Sequence, residues 1–478
     1  MAALPAPGSR REATHLDTAV NRLRRAKPHL SAGTPMWRWQ KSVLLFSVLA
    51  LVVSAFLAFS LTLVALAAIL TLPFFCVVTL KAIALWHMAT RVSNATTPVP
   101  VPLAVWPRYS LLVPLHDEAA VVGDLIAALS RIDYPADRLE TLLILEQTDH
   151  STQTAVLGRD LPANMKVVIV PDGEPRTKPR ALSYAMAFAT GELIVVYDAE
   201  DLPEPDQLRR AAAHLAGRPG LGCVQARLNV INDQETWLTR QFAIEYTALF
   251  DCMLPTLEHH DLPVPLGGTS NHFPRAVLEA VGGWDPFNVT EDADLGIRLA
   301  RSGYRVEVLA STTWEEAPAT FRTWRNQRTR WLKGWMQTYL VHMRRPAALA
   351  RDLGLLRFLG FQILMGGLIL SALVHPWFYA AAGWELLAGP LAAYDHPLSG
   401  VITILGLVKL VLGYVTGVAL GAIAVAGRGR RRLMLSTLGM PFYWLLISAA
   451  AYRALYQLIV APYHWEKTQH RPRAVLVR

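Results

Sequence analysis

Three carboxylates fall within four positions at Asp198, Glu200 and Asp201, directly after the apolar run Leu193 to Tyr197. Held that close they repel one another, and a divalent cation is the simplest stabiliser of such a cluster. Hard oxygen ligands of this kind suit Mg2+ or Mn2+ shared with the phosphates of a substrate. The same residues also suit a helix start, with Asp198 or Asp201 capping a helix over Glu204 to Leu215. Lys178, in Arg176-Thr-Lys-Pro-Arg180, stands just before a helical stretch, where an ammonium meets phosphate oxygens well. Thr290-Glu291-Asp292 opens another helix, and an N-cap threonine with acids in the first turn explains it without any catalysis. Gln327-Arg-Thr-Arg-Trp331 reads equally well as the surface of an interfacial helix. Singly, each of these groups has an ordinary structural reading.

The elements that must position them are those of an α/β domain. Strand-like runs lie at Tyr109 to Val113, Thr141 to Leu145, Lys166 to Val170 and Leu193 to Tyr197. Helical patterning falls at Glu118 to Leu129, Ala181 to Ala189, Glu235 to Met253, after Pro274, and at Glu291 to Ser302. Such alternation predicts a mostly parallel sheet, with ligands at the carboxyl edge of its strands. The acidic cluster lands on that edge. Gly267 to Asn271 is too flexible and polar for the interior of an element and reads as a loop.

Around this domain the chain reads as a membrane protein. Of 478 residues, 53% are hydrophobic and only 17% charged, and the net charge of +9 sits beside apolar segments. That placement favours orientation in a membrane and attraction to phosphate over nucleic-acid binding. Cys76, Cys223 and Cys252 have no metal-ligand spacing and fit a reducing compartment. Residues 1–41 form a basic segment without the pattern of a cleavable signal. Residues 42–86 are predicted to cross twice, with a turn near Ser60, and 87–106 form a linker carrying Pro98, Pro100 and Pro102. Residues 107–320 are the soluble domain and 321–346 an amphipathic helix whose aromatic and basic residues suit the membrane interface.

The region 347–463 holds spans at Phe358 to Tyr379 and Val401 to Ala426. Leu433 to Ala461 is either a kinked single pass or a hairpin that dips in and returns, and 464–478 is a basic tail. Arg38, Lys41, Lys81 and Arg91, with Arg428 to Arg432, orient the soluble domain to the cytoplasm of an inner (plasma) membrane.

In their order along the chain, Val113-Pro-Leu-His-Asp-Glu118, Lys178, Asp198-Ala-Glu-Asp201, Thr290-Glu-Asp292 and Gln327-Arg-Thr-Arg-Trp331 closely resemble the successive signatures of family 2 glycosyltransferases. The resemblance is to the cellulose synthase-like superfamily, which includes hyaluronan, chitin and mannan synthases. It implies a Rossmann-like GT-A domain inserted between transmembrane helices, and inverting transfer from a UDP-linked, less often GDP-linked, sugar. By motif position Pro114, Glu118 and Asp149 line the nucleotide pocket and Lys178 contacts the diphosphate. Asp198 and Glu200 hold Mg2+ or Mn2+, with Asp201 sharing the role because the usual Asp-x-Asp is here Asp-x-Glu. Asp292 is the implied general base with Glu291 beside it, Arg328 and Arg330 stabilise the leaving group, and Gln327 and Trp331 bind the acceptor.

The resemblance further implies a growing polysaccharide, exported through the adjoining helices, and an export or regulatory subunit as partner. Compared with bacterial cellulose synthase, no cyclic-di-GMP domain and no Phe-x-Val-Thr gating loop are evident. Trp465-Glu-Lys-Thr468 is either a short substitute gate or an ordinary interface anchor. Two other readings stand beside this one: transfer of a single sugar to a lipid carrier, and a receptor that binds sugar nucleotide without turnover.

Overall fold

The chain enters the fold through α1 (Arg10–Ala26), whose first turn is capped by the Ser9 hydroxyl accepting from the Glu12 amide at 3.2 Å. Leu16, Val20 and Leu23 recur at helical spacing and bury that face against the α/β domain. In this computed structural model the described residues are 9–91, 103–388, 397–467 and 471. Pro98, Pro100 and Pro102 of the expected linker, and Thr468, lie outside them.

Two helices follow, α2 (Arg38–Leu57) and α3 (Phe59–Arg91), with the break at Ala58. Both are apolar all round and largely uncovered by protein, Phe56 being 90% exposed, the surface expected of helices facing lipid.

The domain sheet begins with β1 (Tyr109–Leu115), β2 (Leu139–Glu146), β3 (Met165–Val170) and β4 (Leu193–Val196). They pair in parallel in the order β3-β2-β1-β4. Parallel neighbours need crossovers, supplied by α4 (Val122–Leu129), α5 (His150–Leu157) and α6 (Lys178–Ala185). β1, β2 and β4 are buried on both faces, so they read as continuous apolar runs rather than alternating ones. The remaining strands are β5 (Leu202–Pro203), β6 (Leu221–Val230), β7 (Asn271–Pro274) and β8 (Arg305–Glu315), extending the order to β3-β2-β1-β4-β7-β6-β8-β5.

β7 runs antiparallel to β4 and β6, while β8 is parallel to β6. The amino end of β7 therefore shares an edge with the carboxyl ends of β1, β4, β6 and β8. That edge collects Glu118, Asp198, Gly268 and Glu315 from four separate stretches of chain, as the topology of open sheets predicts.

Helices α7 (Gln207–Leu215), α8 (Trp237–Thr247), α9 (Leu254–His259), α10 (Arg275–Ala280) and α11 (Glu291–Arg301) cover the sheet. A wide turn at Ala248–Met253 joins α8 to α9. Several helices start a few residues later than their patterning predicts. α7 begins after Asp206, so neither Asp198 nor Asp201 caps it.

α12 (Phe321–His342) departs most from expectation. It is a packed element, wedged between α11 and the last membrane helix, with Trp324 fully buried and its indole N–H donating to Tyr443 at 3.0 Å. A tryptophan whose polar end is satisfied by protein has no need of the lipid interface. Beyond α12 come α13 (Pro346–Leu353), α14 (Leu355–Phe361), α15 (Gly367–Ala388), α16 (Pro397–Gly427) and α17 (Met440–Val460). The final apolar run forms one helix rather than a hairpin, because Pro441 falls in the first turn of α17, where its missing N–H costs nothing. Among the described residues five helices are long and apolar enough to cross a membrane. Arg428, Arg430 and Arg432, just past α16, pair with Asp251 and Asp233 and so fasten that end of the helix to the α/β domain.

Candidate active site

A cavity of about 660 Å3 opens at the shared sheet edge. Asp198 follows β4 into it, and Lys178, the first residue of α6, reaches across to Asp198 Oδ1 at 2.5 Å and to the Gly268 carbonyl at 2.8 Å. Burial works against the Lys178 charge, but Asp198, Glu291 and Asp292 outweigh it and hold its pKa above the ordinary lysine value. Glu200 lines the same wall. Asp201 does not: it is fully buried, and its Oδ2 accepts from the Asp198 amide at 2.7 Å and from the Thr269 hydroxyl. The structure thus makes Asp201 the staple of the turn that presents Asp198 and Glu200, a different place from the metal-binding one expected. Burial, then the neighbouring Asp198 and Glu200 charges, push its pKa well up.

Asp292 sits in the first turn of α11, held there by α12. The Val289 amide donates to Gln337 Oε1 at 3.2 Å, Asn288 Nδ2 donates to Thr338 at 2.9 Å, and the Thr290 amide donates back to Asn288 at 3.1 Å. Thr290 is the N-cap residue as predicted, yet its hydroxyl makes no capping bond and its side chain packs against Gly334 instead. Burial raises the Asp292 pKa, with Lys178 and Arg330 opposing. Burial and the Asp292 charge raise Glu291 to about 8.

The two arginines of the 327–331 motif part company. Arg330 faces Glu291, Asp198, Asp292 and Glu200, and its guanidinium lies 4.4 Å from the centre of the Trp465 ring. Arg328 turns the other way and closes on Glu245, with Phe242 and Trp331 rings 4.7 and 4.6 Å from its guanidinium carbon. Trp331 stacks on Tyr246 at 6.1 Å with 21° between the planes, and Gln327 is buried beside the cavity. Arg328 therefore braces the aromatic platform, not the leaving group as expected.

Pro114 and Glu118 line the cavity. Asp149 is not on its wall. It caps α5, accepting from the Thr152 amide at 3.1 Å and from the Asp117 amide at 2.5 Å, so it holds the 115–118 turn. Burial opposes that charge, but these hydrogen bonds outweigh it and lower its pKa to about 2.

Three acids in the site carried no motif: Glu146, at the end of β2, Glu245 of α8, and Glu315, at the end of β8. The tail segment reaches the site as well, since Lys467 donates to Glu118 Oε1 at 2.8 Å. Trp465 and Lys467 thus contact the cavity residues rather than anchoring in an interface.

A family profile described as "Glycosyltransferase like family 2" matches residues 107–334, the β1 to α12 unit that builds this cavity. Those residues form a family 2 glycosyltransferase domain. Its sheet has the Rossmann-like GT-A fold, shared with the solved mannosyltransferase PcManGT from Pyrobaculum calidifontis, in complex with GDP-Man and Mn2+. That match has a TM-score of 0.51 at 20% identity and covers 83% of this chain and 99% of the other.

Among relatives, the probable glycosyltransferase YdaM of Bacillus subtilis (strain 168) is 32% identical over 232 residues, 48% of this chain and 55% of that protein. The beta-monoglucosyldiacylglycerol synthase of Synechocystis sp. (strain ATCC 27184 / PCC 6803 / Kazusa) is 30% identical over 297 residues, 59% of this chain and 61% of that one. Probable glucomannan 4-beta-mannosyltransferase 10 of Arabidopsis thaliana is 27% identical over 239 residues, 48% and 43% respectively. The chain spans about half the length of the relatives it matches. The glycosyltransferase domain is thus flanked by apolar helices on both sides.

Proposed function

We propose that this chain is a membrane glycosyltransferase, moving a sugar with inversion from a nucleoside diphosphate donor to an acceptor hydroxyl that arrives from the membrane side. The observation that carries this reading is the convergence of Asp292, Asp198, Lys178 and Arg330 on one cavity whose far wall is built by α3, α15, α16 and α17.

Among the described residues no group of three His, Cys, Asp or Glu closes on a single point. Asp198 and Glu200 fit a Mg2+ or Mn2+ that takes its remaining oxygens from phosphate and water. When bound, the ion neutralises charge on the departing diphosphate. Lys178 and Arg330 serve the same end from the protein side, already aimed at that spot. Asp292 takes the proton from the acceptor hydroxyl as it attacks the anomeric carbon and the bond to the diphosphate breaks. One base suffices for inversion in one displacement.

The donor is a UDP-sugar in the reading drawn from the motifs, with a GDP-sugar, as in the PcManGT complex, as the alternative. Trp331 and Tyr246 offer the acceptor a flat apolar surface. One relative is named for a glucomannan and another for synthesis of monoglucosyldiacylglycerol, so a glycan and a lipid are the two acceptor classes to be separated. The positive-inside bias and the pairing of Arg428 to Arg432 with the domain support a catalytic face in the cytoplasm.

The test is nucleoside diphosphate release by the protein in lipid, over UDP- and GDP-sugars with Mg2+ or Mn2+, with products sized. One donor is expected to turn over, with activity lost on chelation and in Asp198→Asn. Binding of donor with no turnover under any condition overturns the reading in favour of a receptor.

A further inference from the structure

We propose that the inner part of this cavity binds the acceptor as an amphiphile, an anionic phospholipid with a free head-group hydroxyl, whose phosphate is held by Lys81. The inference rests on the glycosyltransferase reading above and names its acceptor class.

The cavity that holds Asp292 and Trp331 continues along Val77 and Val78 of α3, Leu364, Leu368, Leu410 and Ile447. These aliphatic walls suit acyl chains and offer nothing to the hydroxyls of a glycan. Part-way along, the lining turns polar. Lys81 Nζ lies 5.2 Å from the centre of the Trp444 ring, the same ring that packs against His375 (6.1 Å) and Tyr414 (5.6 Å). Tyr414 OH and His375 Nε2 are 3.2 Å apart. An ammonium, an imidazole and a phenol thus gather around one indole.

Among the described residues no carboxylate pairs with this group. α3, α16 and α17 contain no acidic residue, and among the described residues Lys81 has no ion-pair partner. Lys81 stands about one to two turns before Ala84, Leu85 and Met88, where α3 packs against Ala248, Cys252 and Met253 of the α/β domain, so its ammonium lies where a lipid phosphate would meet the end of the cavity. The Trp444 face offsets part of the cost of a half-buried cation, not all of it. An ionisable group among membrane-type helices that faces a cavity, as Lys81 does, marks the path of a ligand. The ligand chemistry that completes this nest is an anion with an apolar tail. A second cation, Lys409, lies farther along between Phe74 and Phe378, 5.0 and 4.8 Å from their ring centres, and is already wrapped by aromatic faces.

In the reaction, the head-group oxygen forms the new bond to the anomeric carbon, its proton passes to Asp292, and the nucleoside diphosphate leaves with the electron pair. The phosphate at Lys81 takes no part beyond holding the head group.

The experiment places full-length protein in phosphatidylcholine vesicles doped with phosphatidylglycerol, phosphatidylinositol or uncharged diacylglycerol. Label from the donor sugar is followed into lipid, and nucleoside diphosphate release is measured separately. The expected result is transfer to an anionic lipid about tenfold better than to diacylglycerol. Lys81→Met should raise the KM for that lipid about tenfold and erase the preference, while Lys81→Arg keeps it. Equal use of diacylglycerol, an unchanged preference in Lys81→Met, or label found only in a hydroxyl-rich polymer each overturns the proposal. If Lys81→Met fails to fold, the lipid preference of the unaltered protein still decides. Absence of nucleoside diphosphate release with every donor and acceptor sinks the glycosyltransferase reading itself, whereas release with transfer to neutral lipid sinks only this one.

Discussion

The Arg328 guanidinium donates two parallel hydrogen bonds to the Glu245 carboxylate, at 3.0 and 2.5 Å, and Tyr443 OH of α17 donates to the same carboxylate at 2.9 Å. One acid thus ties α8, the motif helix α12 and a membrane helix together directly under the Trp331 platform. Glu245→Ala leaves a buried guanidinium without its partner, a loss of about 3 kcal/mol or more. Thermal unfolding of the protein in detergent checks this. The double variant Glu245→Ala with Arg328→Met should recover part of the loss, and full tolerance of Glu245→Ala alone would contradict the bracing role.

Asp292→Asn keeps the shape of the site and removes the base. Transfer should fall by about 10^2 to 10^4, the range of a positioned general base, with donor affinity changed little. Initial rates and donor titration on the same sample separate the two effects. A variant that retains more than a tenth of the rate would point to Glu291 as the base instead.

Gly334 is where α12 crosses the turn before Asp292, and a Cβ there would overlap the Thr290 side chain. Gly334→Ala should cost about 1–3 kcal/mol through overpacking and push Asp292 away from Arg330. Turnover is therefore expected to drop even where the protein stays folded at the assay temperature. The pair Gly334→Ala with Thr290→Ser, which removes a methyl from the clash, should restore part of both.

Glu291 sets a pH dependence whose sign runs against habit. Burial raises its folded pKa to about 8, above the unfolded value, so between about 4.5 and 8 the folded state holds a proton that the unfolded state has lost. Stability of the unliganded protein should fall as pH rises through that window. Glu291→Gln should flatten the fall, as followed by melting midpoints at a series of pH values. A steeper fall in the variant would count against the assignment.

Much of the fold could be read along the chain, because the signals are local. Runs of β-branched and aliphatic residues mark β1 to β4, and the membrane helices announce themselves by length. The single helix at α17 was the exception. Proline in a first turn and proline inside a helix look alike until the start of the helix is known.

The order of the motifs by itself pointed to the family of the domain, which the profile match over residues 107–334 bears out. Which side chains face the cavity was decided only by the tertiary structure. Arg328 and Arg330 are two positions apart on a helix, so at 3.6 residues per turn they point to nearly opposite sides. Gln327, Arg330 and Trp331 share a face. Asp201 and Asp149 look like their neighbours in composition, yet backbone amides claim them, and those amides are placed by turns that no pattern encodes. Glu245, Glu315 and Lys81 come from distant elements and meet the site through sheet order and helix packing, relationships that exist only once the chain has closed on itself.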